Sequence, residues 1–357
     1  MFKLPSIKRI IIFCIVFLIL FILFIAGEIY LPRSADNQEL KIVIIDRGMG
    51  AGEIGEVLEQ EKIIRSGLFF RLYVYIFGTS GDLWAGKYKF SPSQSIPDIV
   101  EDLVSGFSIV EKITVIEGWN LRDIADLFEQ KGMFSKEDFY RVAGSPLTGF
   151  QENSDFRDFS QKYDFLRDIP TNVSLEGFLF PETYYFTTRL DEEGNSIEEV
   201  VIEKMLQIFN QKVNRGEGSL GKEISRQGKS VYEIITMASL IEKEVRTMED
   251  KKLVSGILWK RLKVGMPLQV DATVRYATGK ESPRVSIQDT KIDSLYNTYK
   301  YKGLPRGPIC NPGLESIEAA LYPEESEFWY YLSTPEGKTI FSKTLLEHNI
   351  AVARYLK

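Results

Sequence analysis

Histidine is almost absent from this chain: His348 stands alone among 357 residues. A metal site built on two imidazoles is therefore excluded within one chain, and a serine or cysteine nucleophile would have His348 as its only imidazole base. Cysteine is nearly as scarce. Cys14 lies in an apolar run and Cys310 in the distant remainder, so the two cannot pair with each other and no disulfide framework is present. Basic clusters are missing beyond the N-terminus, and the net charge is -6. Sequence-independent nucleic-acid binding, which draws on clustered Lys and Arg, is excluded with them. A composition of 44% apolar and 26% charged residues is that of a folded protein and rules out the low-complexity classes. What remains for chemistry is carboxylates, with neither a metal nor an organic cofactor indicated.

Residues 10–26 form an uncharged apolar run, preceded by Lys3, Lys8 and Arg9 and followed by Glu28 and Asp36. The run is at the short end of the roughly 17–25 residues that span a bilayer. It exceeds the roughly 7–15 residues of a signal-peptide core, and Ile25-Ala26-Gly27-Glu28 is a poor small-x-small cleavage site. An uncleaved anchor over 10–27 is therefore expected, with a cleaved leader as the alternative. The basic residues put a tail of residues 1–9 in the cytoplasm and the remainder outside. This is a single-pass protein of the plasma (inner) membrane on that reading. Residues 28–39, with Pro32, read as a linker.

Beyond the linker, Leu40-Lys41-Ile42-Val43-Ile44-Ile45 reads as a strand and residues 48–52 as a turn. Apolar positions at Ile54, Val57 and Leu58 predict a helix over 53–61, and a second, aromatic-rich helix is expected over 68–77. Trp84-Ala85-Gly86-Lys87-Tyr88-Lys89-Phe90 alternates as a strand. The pattern recurs 70 positions on: Gly48, Ile54, Leu58 and Ile63 are matched by Gly118, Ile124, Phe128 and Met133. A βααβ module over 40–110, with a second strand–helix unit near 111–134, resembles LysM-type carbohydrate-binding modules; two unrelated strand–helix units would read the same way. Farther along, an amphipathic helix is expected over 197–212, broken by Gly216 and Gly218.

Ser230 with Glu233 is a capping box, predicting a helix over 231–246. With Ala238 at zero, Ile234, Ile235, Ile241 and Val245 fall within about 60° of it and Glu242 within about 40°. A carboxylate set in an apolar stripe has its charged form disfavoured by desolvation, the condition of a general acid near neutral pH. A structural ion pair, or a position at the margin of the stripe, fits the pattern equally. Leu268-Gln269-Val270-Asp271-Ala272-Thr273-Val274 alternates like a strand and would put Gln269, Asp271 and Thr273 on one face, suited to sugar hydroxyls or simply exposed. His348, on a helix expected to close the chain, reads as a hydrogen-bonding structural residue more than a base.

Five segments occur in one order. They are Leu175-Glu176-Gly177 with Pro181-Glu182-Thr183; Ala238-Ser239-Leu240-Ile241-Glu242-Lys243-Glu244; Gln269-x-Asp271-x-Thr273; Tyr296-Asn297-Thr298-Tyr299; and the Pro- and Gly-dense stretch 303–313. Together with the anchor they resemble the YceG-like family of membrane-anchored endolytic murein transglycosylases over nearly the whole chain. Ala272 and Arg306 depart from it, standing where proline is frequent. The resemblance implies an α+β chain: one transmembrane helix, the LysM-like βααβ module, then a mixed α/β catalytic domain over 111–357.

The resemblance also implies cleavage of the β-1,4 bond between N-acetylmuramic acid and N-acetylglucosamine in nascent strands, leaving 1,6-anhydro ends. By the match, Glu242 is the catalytic residue. Glu176, Glu182, Gln269, Asp271, Thr273 and Asn297 would bind the glycan or stabilise oxocarbenium-like charge. Peptidoglycan strands are the implied partner, with membrane peptidoglycan synthases natural neighbours. A hydrolytic muramidase would need a second carboxylate, for which Glu182 or Asp271 could serve. A non-catalytic wall-binding scaffold would use the module and the aromatic stretch 175–186 to hold glycan alone.

Overall fold

The computed structural model describes residues 7–46, 48–106, 110–149, 156–170, 173–187, 196–214, 220–280, 282 and 285–356. Gly216, Gly218 and most of the expected cytoplasmic tail lie outside them. The chain divides into two compact units: residues 1–112 with 185–197, and residues 113–184 with 198–357.

The first unit opens with helix α1 (Ile7–Tyr30), longer at both ends than the apolar run that predicts it. Its segment Ile11–Tyr30 has a mean hydropathy of 3.0 and is long and apolar enough to cross a membrane. Then come β1 (Lys41–Ile45), α2 (Ala51–Gln60), α3 (Gly67–Ile76) and β2 (Gly86–Phe90), followed by α4 (Ile96–Ser105). The strands pair antiparallel, with Val43 opposite Tyr88 and Lys41 opposite Phe90. The expected βααβ order is therefore what the chain adopts. Strand alternation decides which side is filled: Val43, Ile45, Tyr88 and Phe90 are buried on one face, against Ile54, Leu58, Phe70 and Val74 of the helix pair. The helices cross at Gly55 and Gly67, where a Cβ on Gly55 would stand 2.7 Å from the Gly67 carbonyl oxygen.

The chain enters the second unit within β3 (Val110–Thr114), runs through α5 (Leu121–Gln130), α6 (Lys136–Ala143) and α7 (Phe156–Lys162), and leaves it within β4 (Thr183–Thr187), which pairs with β3. The 70-residue echo in the sequence is a structural one. Gly48 and Gly118 take φ of 86° and 80°, and Ile54, Leu58 and Ile63 correspond to the buried Ile124, Phe128 and Met133. The second copy differs in closing its strand pair only after a long excursion between α6 and β4.

Helices α8 (Ile197–Phe209), α9 (Leu220–Arg226), α10 (Val231–Glu244), α11 (Met248–Lys263), α12 (Asp271–Thr278) and α13 (Leu314–Leu321) follow. The hairpin β5 (Tyr330–Ser333) with β6 (Thr339–Ser342), and α14 (Leu345–Tyr355), end the fold. The capping box read at Ser230 is present, Ser230 Oγ accepting from Glu233 N–H at 3.1 Å. Such caps contribute about 1 kcal/mol.

One element differs in kind. The alternating stretch 268–274 is not a strand: from Asp271 it is helix α12. Gln269 just before it has φ +54°, a left-handed turn that breaks any strand, so Gln269, Asp271 and Thr273 do not share one face.

Candidate active site

Helix α10 is buried along Ile234, Ile235, Met237, Ala238, Leu240 and Ile241, between a partly exposed first turn and a last turn that emerges again. Glu242 is in that turn, its side chain 11% exposed. One oxygen, Oε2, accepts from Ser316 Oγ at 2.6 Å and from Gly313 N–H at 3.1 Å. Both donors come from the start of α13, whose N-terminal end carries partial positive charge. The Lys251 ammonium, itself 3% exposed, stands 3.7 Å from the same oxygen and 3.3 Å from Glu315. Among the described residues Oε1 has no hydrogen-bond partner, which leaves it as the oxygen free to meet a ligand.

A second carboxylate flanks the same glycine. A Cβ on Gly313 would lie 2.1 Å from Glu117 Oε1, so a side chain there would displace the Glu117 carboxyl. The Glu117 carboxyl is raised above its ordinary value, first by partial burial and then by the Glu242 charge. Gly118 next to it packs against Glu242 Cγ and its carbonyl accepts from Lys243 Nζ at 3.0 Å.

Two residues on, Glu244 turns to α12. Burial, followed by the charge of Asp271, pushes its carboxyl up to about 7, with the Tyr331 side chain and the Ala272 backbone hydrogen-bonded to it. Asp271 in turn accepts from Tyr299 O–H at 2.5 Å. Helix α10 thus ends in two acids on opposite sides, Glu242 toward α13 and Glu244 toward α12.

The model of the YceG-like family matches residues 43–354. The chain belongs to the YceG-like family. It is 35% identical to a protein of Bacillus subtilis (strain 168) named endolytic murein transglycosylase, over 91% of this chain and 87% of that one. A protein of the same name from Streptococcus pneumoniae serotype 2 (strain D39 / NCTC 7466) is 31% identical over 91% of this chain, which spans 60% of that longer relative. The crystal structure of a putative yceG-like protein from Listeria monocytogenes superposes with a TM-score of 0.57 at 33% identity, covering 88% of this chain and 99% of that one.

In this YceG-like chain the sequence-selected residues sit at unequal depths. Glu176 is 1% exposed, accepting from Leu121 N–H at 3.1 Å, Tyr276 O–H at 2.9 Å and Asn311 Nδ2 at 3.3 Å. Burial lifts its carboxyl to about 8. Thr273 is fully buried and donates to Val270 O at 2.7 Å. Asn297, also fully buried, donates to Thr290 O and Ile292 O at 3.0 and 2.8 Å and holds its loop. These three build the scaffold around the acids. Glu182 pairs with Lys212 at 3.0 Å, which lowers its carboxyl, and Gln269 is exposed. His348 is stacked on Tyr330 with ring centroids 5.5 Å apart.

Sequence reasoning missed Glu117, Lys251, Gly313 and Ser316. For Glu117 a signal existed: at the position of the repeat where the first copy has Arg47 before its glycine, the second has Glu117. Lys251 and Ser316 lie on ordinary amphipathic helices, and nothing in their spacing marks them.

Proposed function

We propose that this chain is a membrane-anchored endolytic lytic transglycosylase, a lyase that cuts the N-acetylmuramic acid–N-acetylglucosamine β-1,4 bond within nascent peptidoglycan strands and leaves 1,6-anhydro ends. Strand elongation would end at such a cut, which makes membrane glycan synthases its natural neighbours. Relatives named endolytic murein transglycosylase support the reading over nearly all of the chain. The observation that carries the mechanism is the seating of Glu242: one oxygen tied to α13, the other free.

On this reading Glu242 Oε1 delivers its proton to the glycosidic oxygen as the C1–O bond breaks. The resulting carboxylate is stabilised by Ser316 O–H, Gly313 N–H and the Lys251 ammonium. It then takes the proton of the sugar's own C6 hydroxyl as that oxygen bonds to C1, and the acid is regenerated. Neither water nor a second catalytic carboxylate enters the balance. Asp271 and Gln269, at the entrance of α12, are the glycan-binding candidates among the exposed or half-exposed residues, with Glu182 at the start of β4. Glu176, Thr273 and Asn297 serve by fixing the frame. The βααβ module, LysM-like in its element order, would hold the glycan. The anchor α1 would span the plasma membrane with Lys3, Lys8 and Arg9 on the cytoplasmic side.

The test is digestion of uncrosslinked glycan strands by the full chain in detergent. Glu242→Gln should lower kcat by about 10²–10⁴-fold, the usual range for a general acid–base, while strand binding survives. Retained cleavage by Glu242→Gln would remove this assignment.

A further inference from the structure

Helix α3 is apolar around its whole circumference, with Arg71 its only charge. In a water-soluble module such a helix is buried on all sides. Here three stripes have three different fates. Gly67, Phe70 and Val74 fill the module's core. Phe69 and Tyr73 meet the anchor helix: the Phe24 and Phe69 rings lie 5.9 Å apart edge to face, and Tyr30 and Tyr73 lie 6.4 Å apart. Among the described residues the third stripe has no protein over it. Leu68 is 68% exposed, Tyr75 79% and Ile76 62%.

The link to α1 sets the depth of this patch. The helix end is fastened to the start of α3 by Arg65, which reaches Glu28 at 3.7 Å and donates to the Pro32 carbonyl at 2.9 Å, and by Arg33, which donates to the Ile64 carbonyl at 2.7 Å. Ile29 is buried in the same junction. Six residues of helix separate Phe24 from Tyr30, about 9 Å along the axis. If Ile11–Tyr30 fills the hydrocarbon layer, Phe24 and its partner Phe69 lie well below the outer surface of that layer. The exposed stripe of α3 is at the depth where interfacial helices bury their apolar faces, about 5–10 Å into the boundary. Tyr30, Tyr73 and Tyr75 suit the aromatic belt found there, and Arg33 and Arg65 suit the headgroups.

We infer that the exposed face of α3, Leu68, Tyr75 and Ile76, is immersed in the outer leaflet beside the anchor, so that the βααβ module rests in the membrane surface instead of swinging above it. The occupant of the patch is lipid, and the patch continues the surface of α1. The inference rests on α1 spanning the bilayer. The glycan-facing part of the module is then the outer side of its sheet, where Lys87 and Lys89 alternate with the buried Tyr88 and Phe90.

The test uses the full chain with Cys14→Ser, reconstituted in vesicles of phosphatidylethanolamine and phosphatidylglycerol. Cys310 is fully buried and remains unlabelled. Nitroxides are attached singly at Leu20→Cys, Ile76→Cys and Lys89→Cys, and collision rates with oxygen and with a water-soluble nickel chelate are compared. Labels at 20 and 76 should both favour oxygen several-fold over the label at 89. A label at 76 that matches 89, while 20 reads as lipid, overturns the inference and leaves the anchor standing. A water-exposed label at 20 overturns the anchor itself and the inference with it.

Discussion

At the scale of single residues, burial divides the carboxylates into working and supporting groups. Glu242 is bound through one oxygen, and the Ser316 hydroxyl at 2.6 Å is its shortest contact. Hydrogen bonds to a charged group are worth about 1.5–3 kcal/mol, so Ser316→Ala should lower kcat about tenfold, 1.4 kcal/mol being a factor of ten, with KM little changed. Steady-state kinetics on defined strands would test this, and an unaltered kcat would detach Ser316 from the mechanism. Glu176 behaves differently. Its carboxyl is lifted from 4.5 to about 8, so the folded chain holds a proton the unfolded chain has lost between those values. Its contribution to stability is complete at low pH and declines as pH rises through that window, by about 1.4 kcal/mol per pH unit for one proton. Urea midpoints measured from about pH 5 to about pH 8 should fall, and Glu176→Gln should flatten the fall. The residual slope should come from Glu244, lifted in the same direction to about 7. An unchanged slope in the variant would contradict the assignment.

At the scale of elements, what was legible followed from strong local signals. The capping box at Ser230 fixed the start of α10, and its apolar stripe marked which side would be buried. The 70-residue echo survived because a helix needs the same apolar positions and the turn before it the same glycine in both copies. Helix α12 was misread because Leu268, Val270, Ala272 and Val274 happen to alternate over a window too short to separate the two periods. The left-handed turn at Gln269 that starts the helix has no sequence signature in a non-glycine residue. Helix α11 and strand β6 went unread, since their burial depends on neighbours distant in sequence. The closest crossing in the module, α2 over α3, depends on two glycines. Gly55→Ala would set a methyl 2.7 Å from the Gly67 carbonyl oxygen. Overpacking of this kind costs about 1–3 kcal/mol, and a lowered melting temperature for Gly55→Ala should report it. An unchanged melting temperature would mean the crossing adjusts freely.

At the scale of the molecule, membership of the YceG-like family was legible because five short segments keep one order over 175–313, inside the 43–354 that the family model matches. The partners of Glu242 were not. Glu117, Lys251 and the pair Gly313 and Ser316 come from three separate stretches of the second unit, and only folding brings them to one oxygen-rich corner. That corner contains an acid with one free oxygen and no histidine, consistent with a reaction in which the substrate supplies its own nucleophile. The most direct measurement is mass spectrometry of glycan strands cut by the full chain in heavy-oxygen water, wild type beside Glu242→Gln. The account predicts internal cuts with 1,6-anhydro ends that carry no solvent oxygen, and no such ends from the variant. Reducing ends carrying the heavy oxygen would contradict it and identify a hydrolase, with Asp271 or Glu182 as the base to examine next.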